Sequence, residues 1–229
     1  MPSLRDSGKI VGRSVSIQQL VRQCNLSFPL SLRQFIAEPG CPFPLCIRIH
    51  FKVWSNPAIL TETMLNRMRE VYSTAGIRVV VVSREDLTSP NIFTALRDLD
   101  IVNNCPMGQA STEQDQLFNN RNNVGENEIV VHFVRNIIPT FNGCAAHPND
   151  QPGAAIAGSI ASQWTLAHEV GHVLGLDHIP GEKDSNGICM TPDPTRLMTG
   201  CSTSNITGTP TIDGNEINTM TSSNLTRQC

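Results

Sequence analysis

Three histidines stand in a spacing that suits a single metal ion. Residues 168–178 read His-Glu-Val-Gly-His-Val-Leu-Gly-Leu-Asp-His. Positions four apart lie on one face of a helix, so His168 and His172 can direct imidazole nitrogens at one ion. Gly175 can adopt the left-handed conformation that ends a helix, and the chain then turns and brings His178 to the same ion. Three neutral imidazoles leave a fourth position open for water, as in catalytic rather than structural zinc sites.

Glu169 directly follows the first of these histidines. From there its carboxylate can reach a water molecule at the ion without binding the metal, which is the role of a general base. Two histidines four apart are, on their own, more often ordinary helix residues. Here three of the six histidines, one glutamate and one glycine fit the pattern H-E-x-x-H-x-x-G-x-x-H in register. We therefore predict His168, His172 and His178 as zinc ligands and Glu169 as the catalytic residue.

The composition is typical of a soluble globular protein. A chain of 229 residues suits one domain, and 39% hydrophobic with 16% charged residues allows a substantial core. The net charge of −3 gives no reason to expect a nucleic acid or an anionic membrane as partner. No apolar run approaches the ~20 residues that span a bilayer. We expect a monomer that acts on a protein or peptide substrate.

The cysteines favour an oxidising compartment. There are eight of them, and none forms a C-x-x-C pair, so disulfides are expected rather than a cysteine zinc cluster. Sequons at Asn25, Asn205 and Asn224 are compatible with secretion. The first residues lack the apolar core of a signal peptide. We predict a secreted protein whose signal has been removed or replaced, with a cytosolic protein carrying free thiols as the alternative.

Hydrophobic periodicity predicts the elements that position the motif. Residues 47–54 alternate between apolar and polar side chains, which predicts a half-buried strand. Residues 57–76 are predicted to form a helix that starts at a proline, and residues 77–82 a more buried strand. Strand, helix and strand imply a right-handed parallel crossover. The later elements are a short helix with a capping box from Ser111 to Gln114, a strand at 128–136, a strand at 154–157, the motif helix to Leu174 with its cap at Ser159 or Ser162, and a last helix from Asp213 with Glu216 as capping partner.

The motif and the order of elements resemble the metzincin clan of zinc endopeptidases. The clan also has a methionine in a tight turn beneath the metal, and Met198 within Arg196-Leu-Met-Thr-Gly200 matches that feature better than Met190 does. The resemblance covers approximately residues 46–226. It implies an α+β, zincin-like fold: a twisted mixed sheet with a strand-helix-strand start, an active-site helix and a C-terminal helix.

The resemblance also implies a division of the chain and a substrate cleft. Residues 1–45 would be an N-terminal arm or the remnant of a pro-segment, and residues 46–229 the catalytic domain, with subdomains 46–178 and 179–229. An extended substrate would pair with an edge strand within residues 136–146, and residues 179–200 would form the main pocket wall. Some metzincins carry a tyrosine two residues after the turn methionine, where this chain has Gly200.

The predicted activity is hydrolysis of peptide bonds by a zinc-dependent endopeptidase, with Glu169 as general base. Two alternatives stay open: a zinc hydrolase of another amide or small peptide, and a catalytically silent, zinc-stabilised binding protein. An intact Glu169 argues against the silent protein. An inhibitor or interaction module comes last, because neither needs three converging imidazoles.

Two disulfide pairings are favoured among the eight cysteines. Cys189 with Cys201 would staple the loop around Met198, and Cys105 with Cys144 would tie the insertion after residue 103 to the cleft rim. One catalytic zinc ion is the expected cofactor. A structural calcium site in a loop such as residues 184–187 is also open, although no EF-hand-like pattern supports one.

Overall fold

A twisted, mostly parallel sheet lies at the centre of the fold. The computed structural model describes residues 44–88, 94–102, 105–185 and 188–229. Its strands are β1 (Leu45–Val53), β2 (Ile77–Asp86), β3 (Asp98–Asp100), β4 (Ile129–Val134), β5 (Asn136–Ile138), β6 (Gly143–Cys144), β7 (Gly153–Ala157) and β8 (Arg227–Gln228). The main sheet has the order β2-β1-β4-β7-β6, with β8 beside β1, while β3 and β5 form a separate parallel pair.

Four α-helices accompany the sheet within the described residues. They are α1 (Thr61–Ser73), α2 (Thr112–Phe118), α3 (Thr165–Val173) and α4 (Gly214–Ser222). Strand β6 runs antiparallel to β7 at one edge of the sheet, whereas β2, β1, β4 and β7 are mutually parallel. The predicted fold class is confirmed: a strand-helix-strand start, a helix that carries the motif and a C-terminal helix.

The parallel crossover from β1 through α1 to β2 is present as predicted. The helix begins at Thr61 rather than at the predicted Pro57. Its N-cap residue Leu60 has a non-helical ψ of 135°, and the Ala58 N–H before it donates to the Gly158 carbonyl 2.8 Å away. The prediction that β2 is the more buried strand was wrong. It lies at the edge of the sheet, and most of its residues are only half-buried or exposed.

Both faces of β1 are covered, although its alternation predicted a half-buried strand. Phe51 belongs to the core between the sheet and helices α1 and α3. Trp54 belongs to a second core on the opposite face, together with Leu99 and Leu117. The polar side chains of that second face form hydrogen bonds with residues on the neighbouring strands. For example, the His50 Nδ1 atom lies 2.8 Å from the Ser83 hydroxyl.

The N-terminal caps of two helices were predicted correctly, and that of the motif helix was not. Both capping boxes are present: Ser111 with Gln114 at α2, and Asp213 with Glu216 at α4. Helix α3 has Trp164 as its N-cap rather than either predicted serine. The Ser162 hydroxyl instead accepts from the Trp164 N–H and bonds to Thr203, which belongs to the C-terminal part of the chain.

The described residues all belong to one compact unit, Pro42–Cys229. The predicted arm of residues 1–45 lies almost entirely outside the described residues, and the division into subdomains at residue 178 stays a prediction. Among the described helices none is both long and apolar enough to cross a membrane.

Candidate active site

Helix α3 carries three of the four predicted site residues, and its end delivers the fourth. His168 and Glu169 are buried, and His172 follows one turn later on the same helix. Gly175 has a φ of +99°, the left-handed conformation predicted for it, and it turns the chain out of the helix towards His178. Glycine suits this position because a β-carbon would be strained at that φ.

The three histidine side chains converge on one point. Their Nε2 atoms are 3.2 Å apart for His168 and His172, 3.2 Å for His168 and His178, and 3.1 Å for His172 and His178. Ligands at about 2.0–2.1 Å from a tetrahedral zinc ion are themselves about 3.3 Å apart. The spacing of the three nitrogens therefore fits a zinc ion.

The other ring nitrogens set the tautomer of two of these histidines. His168 Nδ1 lies 2.7 Å from the Leu197 carbonyl, and His172 Nδ1 lies 2.6 Å from the Leu176 carbonyl. A carbonyl only accepts, so each Nδ1 carries the proton and each Nε2 presents a lone pair. Two lone pairs cannot bond to each other at 3.2 Å, and a shared cation resolves the conflict.

Burial keeps the imidazoles in the neutral form that a metal needs. It is the largest influence on all three: it lowers the pKa of His178 to about 3 and, aided by the neighbouring His172, lowers that of His168 well below its usual value. The pKa of His172 is also lowered, again mainly by burial. Burial has the opposite effect on a carboxyl group and raises the pKa of Glu169 to about 8.

Glu169 lies directly beside the edge strand β6. A β-carbon on Gly143 would lie 2.5 Å from Glu169 Cγ and 2.6 Å from its Oε1 atom. Strand β6 pairs only with β7 among the described strands, so its other edge faces away from the sheet. The carboxylate and a backbone edge that could pair with an extended peptide are thus adjacent, within the predicted rim of residues 136–146.

Met198 packs beneath the motif helix. It is fully buried, and its sulfur would lie 2.9 Å from a β-carbon on Gly171, between the two helical histidines. The preceding Leu197 supplies the carbonyl that orients His168. Met190, the rival candidate, is 62% exposed and packs under nothing comparable.

Glu182 organises the loop between His178 and Met198. Its buried carboxylate accepts hydrogen bonds from the N–H groups of Asp193 and Gly200 and from the Thr199 hydroxyl. The Glu182 carbonyl also accepts from the Met190 N–H at 2.8 Å. One side chain therefore ties both ends of the predicted pocket wall together.

Both favoured disulfides are present. Cys189 pairs with Cys201 across the loop around Met198, and Cys105 pairs with Cys144 on β6. The second bridge attaches the edge strand to the insertion that precedes α2, as predicted.

Asn142 links the edge strand to the C-terminal part of the chain. Its side-chain amide lies 3.0 Å from the Ser202 hydroxyl, 3.3 Å from that of Thr203 and 3.2 Å from that of Ser204. Thr203 also bonds to Thr165, one turn before Glu169 on α3, at 2.7 Å. A network of hydroxyl groups thus connects the residue before the edge strand to the N-terminal end of α3.

Three residues of the site were not singled out from the sequence: Asn142, Gly143 and Glu182. Each lies within a range that was predicted as rim or pocket wall, but no local pattern marks any of them. Calcium is not supported. Within the described parts of the chain, the only group of three or more candidate metal ligands is His168, His172 and His178, and the loop at 184–187 is described only in part.

The chain is similar in fold to a solved protein structure, but not in sequence to a known family. No family model matches the chain, and no functionally curated protein matches it. Among solved structures, metalloproteinase-II from Bacteroides fragilis matches with a TM-score of 0.53 and 15% identity, over 90% of this chain and 60% of that one. An archaemetzincin from Methanopyrus kandleri gives a TM-score of 0.46 and 15% identity, over 81% of this chain and 97% of that one.

At this level of identity the first likeness establishes a shared fold and nothing finer. The chain spans 60% of the length of metalloproteinase-II. Any activity of this chain must therefore be argued from its own site.

Proposed function

We propose that this chain is a secreted, zinc-dependent endopeptidase of the metzincin type. The observation that carries the proposal is the convergence of three imidazole Nε2 atoms within 3.2 Å of one another. The buried carboxylate of Glu169 follows the first of them and lies against an edge strand. The fold shared with metalloproteinase-II and the packing of Met198 under α3 support the same class.

His168, His172 and His178 would hold the zinc ion. The chemistry that zinc supplies when bound is Lewis acidity, which makes water acidic and polarises a carbonyl group. The carbonyl groups of Leu197 and Leu176 keep two of the imidazoles in the required tautomer and orientation. These groups are backbone atoms, so the orientation depends on the fold rather than on further side chains.

Glu169 acts as the proton carrier of the reaction. It takes a proton from the attacking water as the oxygen bonds to the peptide carbon, and it gives that proton to the leaving nitrogen as the carbon–nitrogen bond breaks. The products are a carboxylate and an amine. Strand β6 holds the substrate in an extended conformation, with Gly143 leaving room for the carboxylate at the point of attack.

The proposal that the protein is secreted rests on its disulfides. Bridges such as Cys105–Cys144 and Cys189–Cys201 form and persist in oxidising compartments. The site is compatible with a monomer, because all four of its predicted residues come from one chain.

The test compares the wild-type protein with Glu169→Gln and with Glu126→Gln, an exposed glutamate as control. Each protein is assayed for bound zinc by mass spectrometry and for cleavage of an unfolded protein substrate. We expect one zinc per chain in all three and a loss of at least about 10²-fold in turnover for Glu169→Gln alone. A chelator should abolish wild-type cleavage, and added zinc should restore it. Cleavage by Glu169→Gln at the wild-type rate would show that the base is assigned wrongly.

A further inference from the structure

A serine, a histidine and a glutamate are joined by hydrogen bonds at the edge of the main sheet that lies away from β6. The His50 Nδ1 atom lies 2.8 Å from the Ser83 hydroxyl, and its Nε2 atom lies 2.7 Å from a carboxylate oxygen of Glu128. Ser83 belongs to β2, which is at the opposite end of the sheet order from β6, so this group is separate from the candidate metal centre. A nucleophile, a base within hydrogen-bond reach and an acid that orients the base are the arrangement found in covalent hydrolases.

The hydrogen bonds determine which atom of each group carries a proton. Burial acts to raise the pKa of Glu128, but its hydrogen bonds outweigh burial and lower the pKa to about 2, so the carboxylate can only accept. His50 Nε2 therefore carries the ring proton, and the Ser83 hydroxyl donates to the lone pair of Nδ1. Burial is also the main influence on His50: it lowers the pKa of the ring, as the charges of Arg48 and Arg121 do, against the opposite effect of Glu128. The ring is thus neutral at pH 7 and able to accept the proton of the hydroxyl.

A β-bulge places Ser83 opposite His50. Ile49 pairs with Val81, but His50 pairs with Ser83, so Val82 is an extra residue with no partner on β1. Without this extra residue, Val82 would stand opposite His50, and the ring would face an apolar side chain. Bulges change the direction of side chains in this way and are frequent beside active sites.

Ser83 is the accessible member of the group. The serine is exposed, whereas His50 is 1% exposed and Glu128 is 8% exposed. Among the described strands β2 pairs only with β1, so no neighbouring strand covers its other edge. A substrate can therefore reach the serine oxygen while the base behind it stays shielded from bulk water.

We propose that Ser83 is the nucleophile and His50 the general base, oriented by Glu128, of a second catalytic site that hydrolyses small activated esters. The Ser83 oxygen bonds to the acyl carbon of the ester as its proton moves to His50 Nδ1. The bond between that carbon and the alcohol oxygen then breaks, and His50 gives the proton to the leaving oxygen. Water repeats both steps on the acyl-serine, which releases a carboxylic acid and restores the hydroxyl.

The basicity of His50 sets the class of substrate. A buried imidazole with a lowered pKa is a weaker base than a free one, so the serine attacks slowly unless the acyl carbon is itself reactive. An ester of an acidic alcohol such as a phenol has a reactive acyl carbon, whereas a peptide bond does not. The proposed site therefore differs from the metal centre in substrate as well as in place.

Covalent labelling tests the nucleophile directly. A fluorophosphonate bonds through phosphorus to an activated serine oxygen as fluoride leaves, and peptide mapping locates the label. We expect the label on Ser83 in the wild type and no label at this position in Ser83→Ala. The control Ser222→Ala, which alters an exposed serine on α4, should be labelled like the wild type. An unlabelled Ser83 in the folded wild-type protein would overturn the proposal.

Hydrolysis of p-nitrophenyl acetate measures turnover. The comparison is made in the zinc-loaded Glu169→Gln protein, which lacks the proposed base of the metal centre. Adding Ser83→Ala should lower the rate at least about tenfold, and adding Ser222→Ala should leave it unchanged. Equal rates with and without Ser83→Ala would contradict a catalytic serine. Peptide cleavage does not enter this comparison, so the outcome is independent of the proposed function.

The role of His50 is tested with the histidine in place, because a buried residue can be needed for folding. In Ser83→Cys, a thiol at the position of the hydroxyl gives its proton to the imidazole, and the thiolate is the reactive form. Iodoacetamide at pH 7 should alkylate this thiol at least about tenfold faster than the thiol introduced by Ser222→Cys, as read by peptide mapping. Equal rates would show that His50 does not activate a nucleophile at residue 83.

Glu128 is a positioning residue in this site, because it holds the proton of His50 on Nε2. Glu128→Gln keeps an oxygen that can accept from the ring but removes the negative charge that stabilises the protonated ring. We expect Glu128→Gln to lower kcat for the ester about tenfold, with KM changed less than about threefold. An unchanged kcat would overturn this role of the carboxylate.

Discussion

Gly143 sets the size of the space beside Glu169. The glutamate Cγ, Cδ and Oε1 atoms all lie within 2.6 Å of the position where a β-carbon would stand on Gly143. Such a contact is far inside van der Waals distance, so any other residue must displace the carboxylate or the strand. The position of the Glu169 carboxylate, the proposed general base, therefore depends on the missing side chain at residue 143 of the edge strand.

Gly143→Ala should lower kcat/KM by about 10²-fold, because a displacement of about 1 Å at the reacting groups has a cost of that size. The metal should stay, since the atoms nearest to this position all belong to Glu169 and not to a histidine. Zinc content and peptide cleavage are measured side by side. Gly214→Ala is the matched control, because nothing lies within 4 Å of a β-carbon there. Unchanged cleavage by Gly143→Ala would show that the reaction does not depend on the position of the Glu169 carboxylate.

Glu182→Ala should destabilise the metal-free protein by about 3 kcal/mol. The substitution leaves the buried N–H group of Gly200 and the part-buried N–H group of Asp193 without their acceptor, and a buried unsatisfied group costs about 1–3 kcal/mol. Denaturant unfolding measures the loss. Glu182→Gln keeps one carbonyl acceptor and should lose less unfolding free energy. Equal losses for the two variants would show that the hydrogen-bond acceptor does not account for the stability.

At the scale of elements, Glu128 joins strands that are far apart in sequence. It precedes β4, and its carboxylate contacts Arg48 and His50 on β1 and Arg227 on β8. Burial acts to raise the pKa of Glu128, but hydrogen bonds from the Gly125 N–H and from Arg48 and His50 outweigh it and lower the pKa to about 2. The cluster therefore stabilises the sheet only while Glu128 is ionised.

Acid should remove this contribution in a defined window. A carboxyl group whose folded pKa is below its unfolded value stabilises the fold above the unfolded pKa, and the stability is lost as the pH falls through the folded pKa. For Glu128 the window runs from about pH 4.5 to about pH 2. Glu128→Gln should cost about 1–2 kcal/mol at pH 7 and flatten the fall in that window. Unfolding free energies at pH 7, 4.5 and 3 test this, and parallel curves for both proteins would contradict it.

The elements that could be predicted are those whose signals are local. The capping boxes of α2 and α4 depend on residues three apart, and the crossover through α1 depends on short-range periodicity. The errors concern tertiary contacts. The alternation in β1 could not reveal the second core that covers its polar face. The segment before α1 bonds to Gly158, a hundred residues further along, and no local pattern marks that contact.

At the scale of the molecule, the two disulfides brace segments on either side of the candidate site. Cys105–Cys144 ties the edge strand to the insertion, and Cys189–Cys201 closes the loop that carries Met198. Their sequence separations of 39 and 12 residues correspond to about 4 and about 3 kcal/mol in the chain-entropy model.

Cys189→Ser with Cys201→Ser should therefore destabilise the protein by about 3 kcal/mol, which lowers Tm by roughly 6–12 °C. It should also reduce kcat, because the bridge closes the loop whose Leu197 carbonyl orients His168. Differential scanning calorimetry and peptide cleavage measure the two effects. Cys105→Ser with Cys144→Ser serves as the comparison, since it loosens the edge strand instead of this loop. An unchanged kcat in the Cys189 and Cys201 variant would show that the bridge does not position the loop.

The candidate site was predictable only as far as its motif extends. The spacing of the histidines and Gly175 was sufficient to predict convergence on one ion, because all of it lies within eleven residues of sequence. Gly143 reaches the site through strand pairing, and Glu182 through the hydrogen bonds of its buried carboxylate. Those long-range contacts leave no local pattern, so the residues that shape the cleft were found only in the structure.

The most direct test is digestion of a mixed peptide library in ¹⁸O-labelled water, read by mass spectrometry, with wild type beside Glu169→Gln. A zinc endopeptidase with Glu169 as its base gives internal cuts that carry ¹⁸O in the new carboxyl group, in the wild type alone, and a chelator abolishes them. Peptides left intact by a wild-type protein that holds one zinc ion, or equal cutting by Glu169→Gln, would contradict the proposed function.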